Sequence, residues 1–170
     1  MNSIDKINKL TRGDFISIFG NVFEKTNWVA EKTYVLKPFN NFGELHSKML
    51  DIFENSTKEK HLKILNSHPD LVVEKALTPD SKGEQSSARL DQCSELEFEE
   101  FKKLNEKYKK KNGFPFIITV KGKNIEEILN NFRQRITNNI DTEFNEAKSQ
   151  VKEIASLRLN EITKNNLIIY

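Results

Sequence analysis

Between His68 and Asp91 the chain concentrates residues capable of acid–base chemistry: His68-Pro69-Asp70-Leu71, then Ser81-Lys82-Gly83-Glu84-Gln85, then Ala88-Arg89-Leu90-Asp91. Imidazole titrates near neutral pH, which makes His68 the leading candidate for proton transfer. The competing use of Ser67-His68-Pro69-Asp70 is a helix–helix turn, the ordinary role of proline and aspartate. Ser81 and Glu84 are three residues apart, so one helix face could present a hydroxyl and a carboxylate to the same pocket. The same spacing is also a capping box, with Ser81 as the cap and Glu84 reaching back to its amide. The two uses are compatible, because a helix N-terminus also offers amides to a ligand. His46 and His61 read as ordinary helix residues. Three histidines and one cysteine make no metal-ligand spacing, so no metal is expected.

A second candidate emerges from periodicity. At about 100° per residue, Phe144, Ala147, Val151, Ile154 and Ile162 share one stripe of the last helix, and Arg158 falls in the middle of it. An inward guanidinium requires a carboxylate, carbonyls or a ligand, because an unpaired buried charge is very costly. Two mundane uses compete with ligand binding. One is an internal ion pair; the other is an aliphatic stem lying on the core with its head in water.

The elements that must position these residues read as helices. Six glycines and four prolines leave few breakers, and apolar residues recur at helical spacing. Ile4, Ile7 and Leu10 predict a first helix capped by Ser3, and Asp14 caps a second with Phe15, Ile18, Phe19, Val22 and Phe23 inward. Asn27 caps a short segment around Trp28, and Phe42, Leu45, Met49, Ile52 and Phe53 stripe the next helix. Ser56 with Glu59 has capping-box spacing for a helix that stops near Ser67, because residues before proline disfavour the helical conformation.

A short helical piece is expected over residues 72–77, followed by a helix start at Thr78-Pro79-Asp80-Ser81. Ser94 with Glu97 opens a helix carrying Phe98, Phe101, Leu104 and Tyr108 inward and stopping at Gly113. Its Lys107-Tyr108-Lys109-Lys110-Lys111 run reads as a solvated end that suits the helix dipole. Residues 114–120 are β-prone and too short for a helix. With no partner strand in view they read as an extended segment crossing the core. Asn124 caps the next helix, and Asp141 or Thr142 opens the last. The expectation is an all-α, single-domain bundle of about eight helices over residues 1–170, with one short extended apolar segment.

The totals exclude several classes. Lys+Arg 27 against Asp+Glu 25 gives a net charge of +2, so no field marks a nucleic-acid or membrane binder. Cys93, the single cysteine, makes no internal disulfide and favours a reducing compartment. No apolar run reads as a signal peptide or membrane span. The tail Leu167-Ile168-Ile169-Tyr170 is not a peroxisomal address. The expected location is the cytoplasm.

His68-Pro69-Asp70-Leu71, Leu77-Thr78, Ser81-x-x-Glu84-Gln85, Ala88-x-Leu90-Asp91, Leu104-Asn105-x-x-Tyr108, Gly113-Phe114-Pro115-Phe116-Ile117 and Ala155-x-x-Arg158-Leu159 together resemble the OHCU decarboxylases. That family acts on 2-oxo-4-hydroxy-4-carboxy-5-ureidoimidazoline. The resemblance runs from about Phe15 to Ile162. It implies a cofactor-free, all-helical, usually homodimeric enzyme of urate breakdown, whose partner is its small-molecule ureidoimidazoline. Such an enzyme releases CO2 from the product of hydroxyisourate hydrolysis and fixes the configuration of (S)-allantoin.

The resemblance also implies site roles. His68 is the acid–base residue, with Glu84 beside it in the catalytic set, and Pro69 lines the pocket. Ser81 and Glu84 hold the ureido and ring groups, with Lys82, Gly83 and Gln85 completing the turn around the substrate. Phe114 and the backbone of Phe116, Ile117, Ile118, Thr119 and Val120 form another wall. Arg158 binds substrate oxygens.

Two features depart from the pattern: the segment between His68 and Ser81 is shorter than usual, and Arg89 stands where the family has glycine. They keep two other readings in view. One is a non-catalytic ureide-binding protein on the same fold. The other is a helical interaction module using the Lys107–Lys111 run, which predicts salt-dependent binding.

Overall fold

The computed structural model describes residues 3–72 and 78–166. Among them are nine α-helices, one 3-10 turn (Leu90–Gln92) and no strand, in keeping with the expected all-α class and one helix more than expected. The chain divides into two compact units, Met1–Ser67 with Lys152–Tyr170, and His68–Val151.

The first unit contains α1 (Ser3–Lys9), α2 (Arg12–Phe19), α3 (Asn27–Tyr34), α4 (Phe42–Glu54) and α5 (Lys58–Ser67). Its core is aromatic. Phe15 packs on Phe19 at 4.6 Å and Phe23 stacks on Phe53 at 4.9 Å. His61, expected to be an ordinary helix residue, is buried edge-on to Phe53, with its Nε2 2.6 Å from the Phe53 carbonyl. The caps differ from expectation by one to three residues. Thr11, not Asp14, accepts from the α2 amides, and Asp14 receives the Thr11 hydroxyl at 2.6 Å. Thr57 accepts the Lys60 amide at the start of α5. Ser56 instead donates to the Ile52 carbonyl, so its capping box does not form. In each case a nearby threonine provides the cap, and side-chain oxygens of neighbouring polar residues are interchangeable in that role.

The second unit contains α6 (Pro79–Ser87), the 3-10 turn, α7 (Glu95–Asn112), α8 (Ile125–Arg135) and the first half of α9 (Ile140–Asn166). Here the signals hold well. Ser94 and Glu97 form a full capping box, and Gly113 ends α7 with φ 81°, a backbone state open to glycine without steric cost. Asn124 caps α8 in a second box with Glu127. The last helix is capped by Asn139, whose side chain accepts the Thr142 amide at 2.8 Å, rather than by Asp141 or Thr142. Residues 114–120 form neither helix nor strand and are all buried, so the break in the helical pattern expected there is present. The short helix expected after Leu71 falls mainly on residues 73–77, outside the described residues; Val72 itself has φ 55° and is not helical.

Candidate active site

α5 ends at Ser67, as proline at position 69 requires, and the chain leaves it through His68, Pro69 and the turn at residues 70–72. His68 is 9 % exposed. The turn is fastened to α6 and α7 by side chains. Gln85 donates to the Asp70 carbonyl at 3.3 Å and accepts the Val72 amide at 3.2 Å. Asn105 donates to the Leu71 carbonyl at 2.9 Å. Lys109 reaches the Asp70 carboxylate at 2.6 Å. Val72 adopts a positive φ, an outlier for a β-branched residue that costs about 1–2 kcal/mol.

α6 begins at Thr78, whose hydroxyl accepts the Ser81 amide at 3.3 Å, with Pro79 in the first turn. Ser81 therefore sits inside the helix rather than capping it, and the capping-box reading of Ser81 and Glu84 is set aside. Ser81 and Gln85 are buried, Glu84 is half-buried, and Lys82 and Gly83 lie exposed on the opposite face. The amphipathic split is what four-residue spacing on a helix produces. Gln85 thus joins α6 to the turn that follows His68, bringing these two parts of the expected site together.

The segment at residues 114–120 is held by polar side chains. Arg135 donates to the Ile117 carbonyl at 2.8 Å, and its guanidinium lies 4.4 Å from the Phe116 ring centre. Phe116 stacks on Phe132 at 3.8 Å. The Thr119 amide donates to Gln150 at 2.7 Å, and Lys123 donates to the Thr119 carbonyl at 2.8 Å. Arg135 pairs with the fully buried Glu143 at 2.9 Å, and Glu143 also accepts from Tyr108 and Asn138. Burial, and then the bond to Glu143, push the Tyr108 phenol far above its ordinary range, so it stays a donor. Burial and the nearby Glu97 and Asp91 raise the Cys93 thiol to about 11, which leaves it protonated and unreactive at neutral pH.

Arg158 belongs to the other unit, on the second half of α9. It is 5 % exposed, paired with the 0 %-exposed Glu24 at 2.8 Å, and donates to the Asn21 carbonyl at 2.9 Å. The internal ion pair weighed from periodicity is present.

Periodicity did not single out Gln85, Asn105 and Lys109 as supports of one turn, nor Arg135 and Glu143 as a buried pair. Their partners are backbone atoms or residues distant in sequence, which local spacing does not register. Among the described residues no group of three histidine, cysteine, aspartate or glutamate side chains could hold a metal ion. No described helix is long and apolar enough to cross a membrane.

Residues 8–160 match the sequence profile of a family described as OHCU decarboxylase. The chain is 38 % identical over 159 residues to the 2-oxo-4-hydroxy-4-carboxy-5-ureidoimidazoline decarboxylase of Haloferax volcanii, covering 94 % of this chain and 95 % of that one. It is 37 % identical over 162 residues to the uric acid degradation bifunctional protein of a Bacillus species, covering 95 % of this chain but 32 % of that one; the chain spans about a third of that relative. A crystal structure of an OHCU decarboxylase in the presence of (S)-allantoin superposes with a TM-score of 0.71 at 25 % identity, over 89 % of this chain and 97 % of that one.

Proposed function

This chain belongs to the OHCU decarboxylase family, and from that premise we propose that it decarboxylates 2-oxo-4-hydroxy-4-carboxy-5-ureidoimidazoline to (S)-allantoin. The observation that carries the reading is a family match running through both units, from residue 8 to residue 160. It also supports treating residues 1–170 as one functional domain.

In the reaction, the bond from the ring carbon to its carboxylate breaks and CO2 departs. The electron pair moves toward the adjacent imine of the substrate itself, leaving an enol. A proton is then delivered to one face of the neighbouring ureido-bearing carbon, and the hydroxyl on the decarboxylated carbon gives up its proton to become the ring carbonyl of allantoin. The protein's tasks are to orient the carboxylate, hold the ureido arm and deliver the proton. His68 is the proposed acid–base residue, with Pro69 against the substrate. Glu84, half-buried on α6, would accept N–H bonds from ureido or ring nitrogens, beside the Ser81 hydroxyl. The backbone of residues 116–120 would supply amides and carbonyls along one wall with Phe114, and Arg158 would bind planar oxygens with its fork-shaped guanidinium. We further propose that the protein works as a cytoplasmic homodimer, which sedimentation analysis would check.

The test is circular dichroism of freshly generated substrate, with and without protein. The (S)-allantoin signal should appear well ahead of spontaneous decay and be lost in His68→Asn, whose helical spectrum stays intact. No acceleration by a folded protein would refute the proposal and favour a ureide-binding role.

A further inference from the structure

His68 stands two residues ahead of a turn gripped by three side chains. Asp70 and Leu71 offer their carbonyls to Gln85 and Asn105, the Val72 amide donates to Gln85, and the Asp70 carboxylate meets Lys109 at 2.6 Å. Resting on the decarboxylase reading above, we propose that Asn105 and Lys109 of α7, acting through Asp70 and Leu71, are positioning residues for proton transfer by His68.

The link from this grip to the imidazole is short and stiff. The proline ring fixes φ at residue 69, and proline confines the residue before it to extended conformations. With Asp70 held at both its carbonyl and its carboxylate, little torsional freedom remains between the anchor and the His68 side chain.

The residues chosen also fit this role better than a packing role. Asn105 is 3 % exposed on the inward face of α7, beside Phe101 and Tyr108, where leucine would bury more apolar surface. Its Oδ1 has no hydrogen-bond partner among the described residues, an unfavourable state for a side chain selected only for stability. Lys109 would satisfy the helix dipole from any rotamer, yet it is committed to an aspartate whose side chain is only 11 % exposed. Val72 holds a left-handed backbone, and such outliers persist where surrounding contacts over-determine them.

The experiment uses the full chain with Lys109→Met, Lys109→Arg and Asn105→Leu. It reads kcat and KM for decarboxylation, together with the imidazole ring resonances. Only three histidines are present, and the His68 signal is identified by its loss in His68→Asn.

Misplacing a reacting group by about 1 Å costs up to a hundredfold, so Lys109→Met and Asn105→Leu should lower kcat roughly ten- to hundredfold. KM should stay within about twofold, as for a contribution made only in the transition state. The His68 ring signal should move while those of His46 and His61 stay in place, and Lys109→Arg should restore both readings. An unmoved His68 signal in Lys109→Met and Asn105→Leu, or a fall in rate matched by loss of folded protein, overturns the proposal. If the wild-type chain does not turn the substrate over, the decarboxylase reading fails by itself. The ring signal then decides: its movement supports the clamp, and its constancy overturns it.

Discussion

Arg89 has φ 57° and an exposed side chain, so the position where the family resemblance calls for glycine is one whose backbone favours glycine. The left-handed state costs an ordinary side chain about 1–2 kcal/mol. Arg89→Gly should therefore raise the free energy of unfolding by roughly 1 kcal/mol, less the added entropy of the unfolded chain. Urea denaturation measures this, and an unchanged or lower midpoint would show that the arginine side chain makes compensating contacts.

At Arg158 two uses are superimposed. Its fork spans Glu24 and Asn21, and lysine reproduces the charge but not the fork. If Arg158 also binds substrate oxygens, Arg158→Lys should raise KM roughly tenfold per folded molecule, on the order of one lost charge-assisted hydrogen bond. If its role is structural, stability falls while KM stays put. Steady-state kinetics beside a denaturation curve separates the two.

At the scale of elements, the segment at residues 114–120 shows how an irregular stretch survives in a core. It is apolar and buried, and without a helix or a partner strand its backbone must find other polar partners. Arg135, Gln150 and Lys123 supply some of them. Arg135 can do so because Glu143, itself 0 % exposed, neutralises it. Removing one member of such a pair leaves a buried charge uncompensated, so Glu143→Ala should destabilise by about 3–5 kcal/mol. A loss below about 1 kcal/mol in chemical denaturation, the range of exposed pairs, would mean that water solvates Arg135.

Element boundaries were legible where a cap and a stop agreed, as at Ser94–Glu97 and Gly113, or Thr78-Pro79. They slipped by one to three residues at α2, α5 and α9, because Thr11, Thr57 and Asn139 offered equivalent oxygens nearby. The lysine run on α7 was read as solvated; Lys109 and Lys111 are instead committed to Asp70 and to the carbonyls of Ile136 and Asn138.

For the molecule as a whole, acid should weaken the fold in two stages. Burial lowers the His46 pKa from 6.5, and its Nε2 is enclosed without a hydrogen-bond partner among the described residues. The unfolded chain then takes up the proton first, so stability is full above the unfolded value and falls as pH drops below 6.5 toward the depressed folded value. Glu44 and Glu100, held below 4.5 by Lys48 and Arg133 respectively, act at lower pH, where their protonation removes surface pairing. His46→Gln should flatten the decline in unfolding free energy between pH 7 and 5 while leaving the more acidic limb. A slope unchanged by that substitution would assign the first stage to other groups.

The sequence by itself determined the helical class, the buried non-helical stretch at residues 114–120, the inward arginine and, through ordered motifs, the family. These are local properties: periodicity, proline and glycine stops, and short spacings are written along the chain and persist in any fold that buries its apolar face. Tertiary structure alone decided that Glu24 answers Arg158 and that Gln85, Asn105 and Lys109 converge on the turn after His68. Hydrogen bonds and ion pairs between residues tens of positions apart depend on which backbone atoms the fold leaves unsatisfied, and no local pattern encodes that.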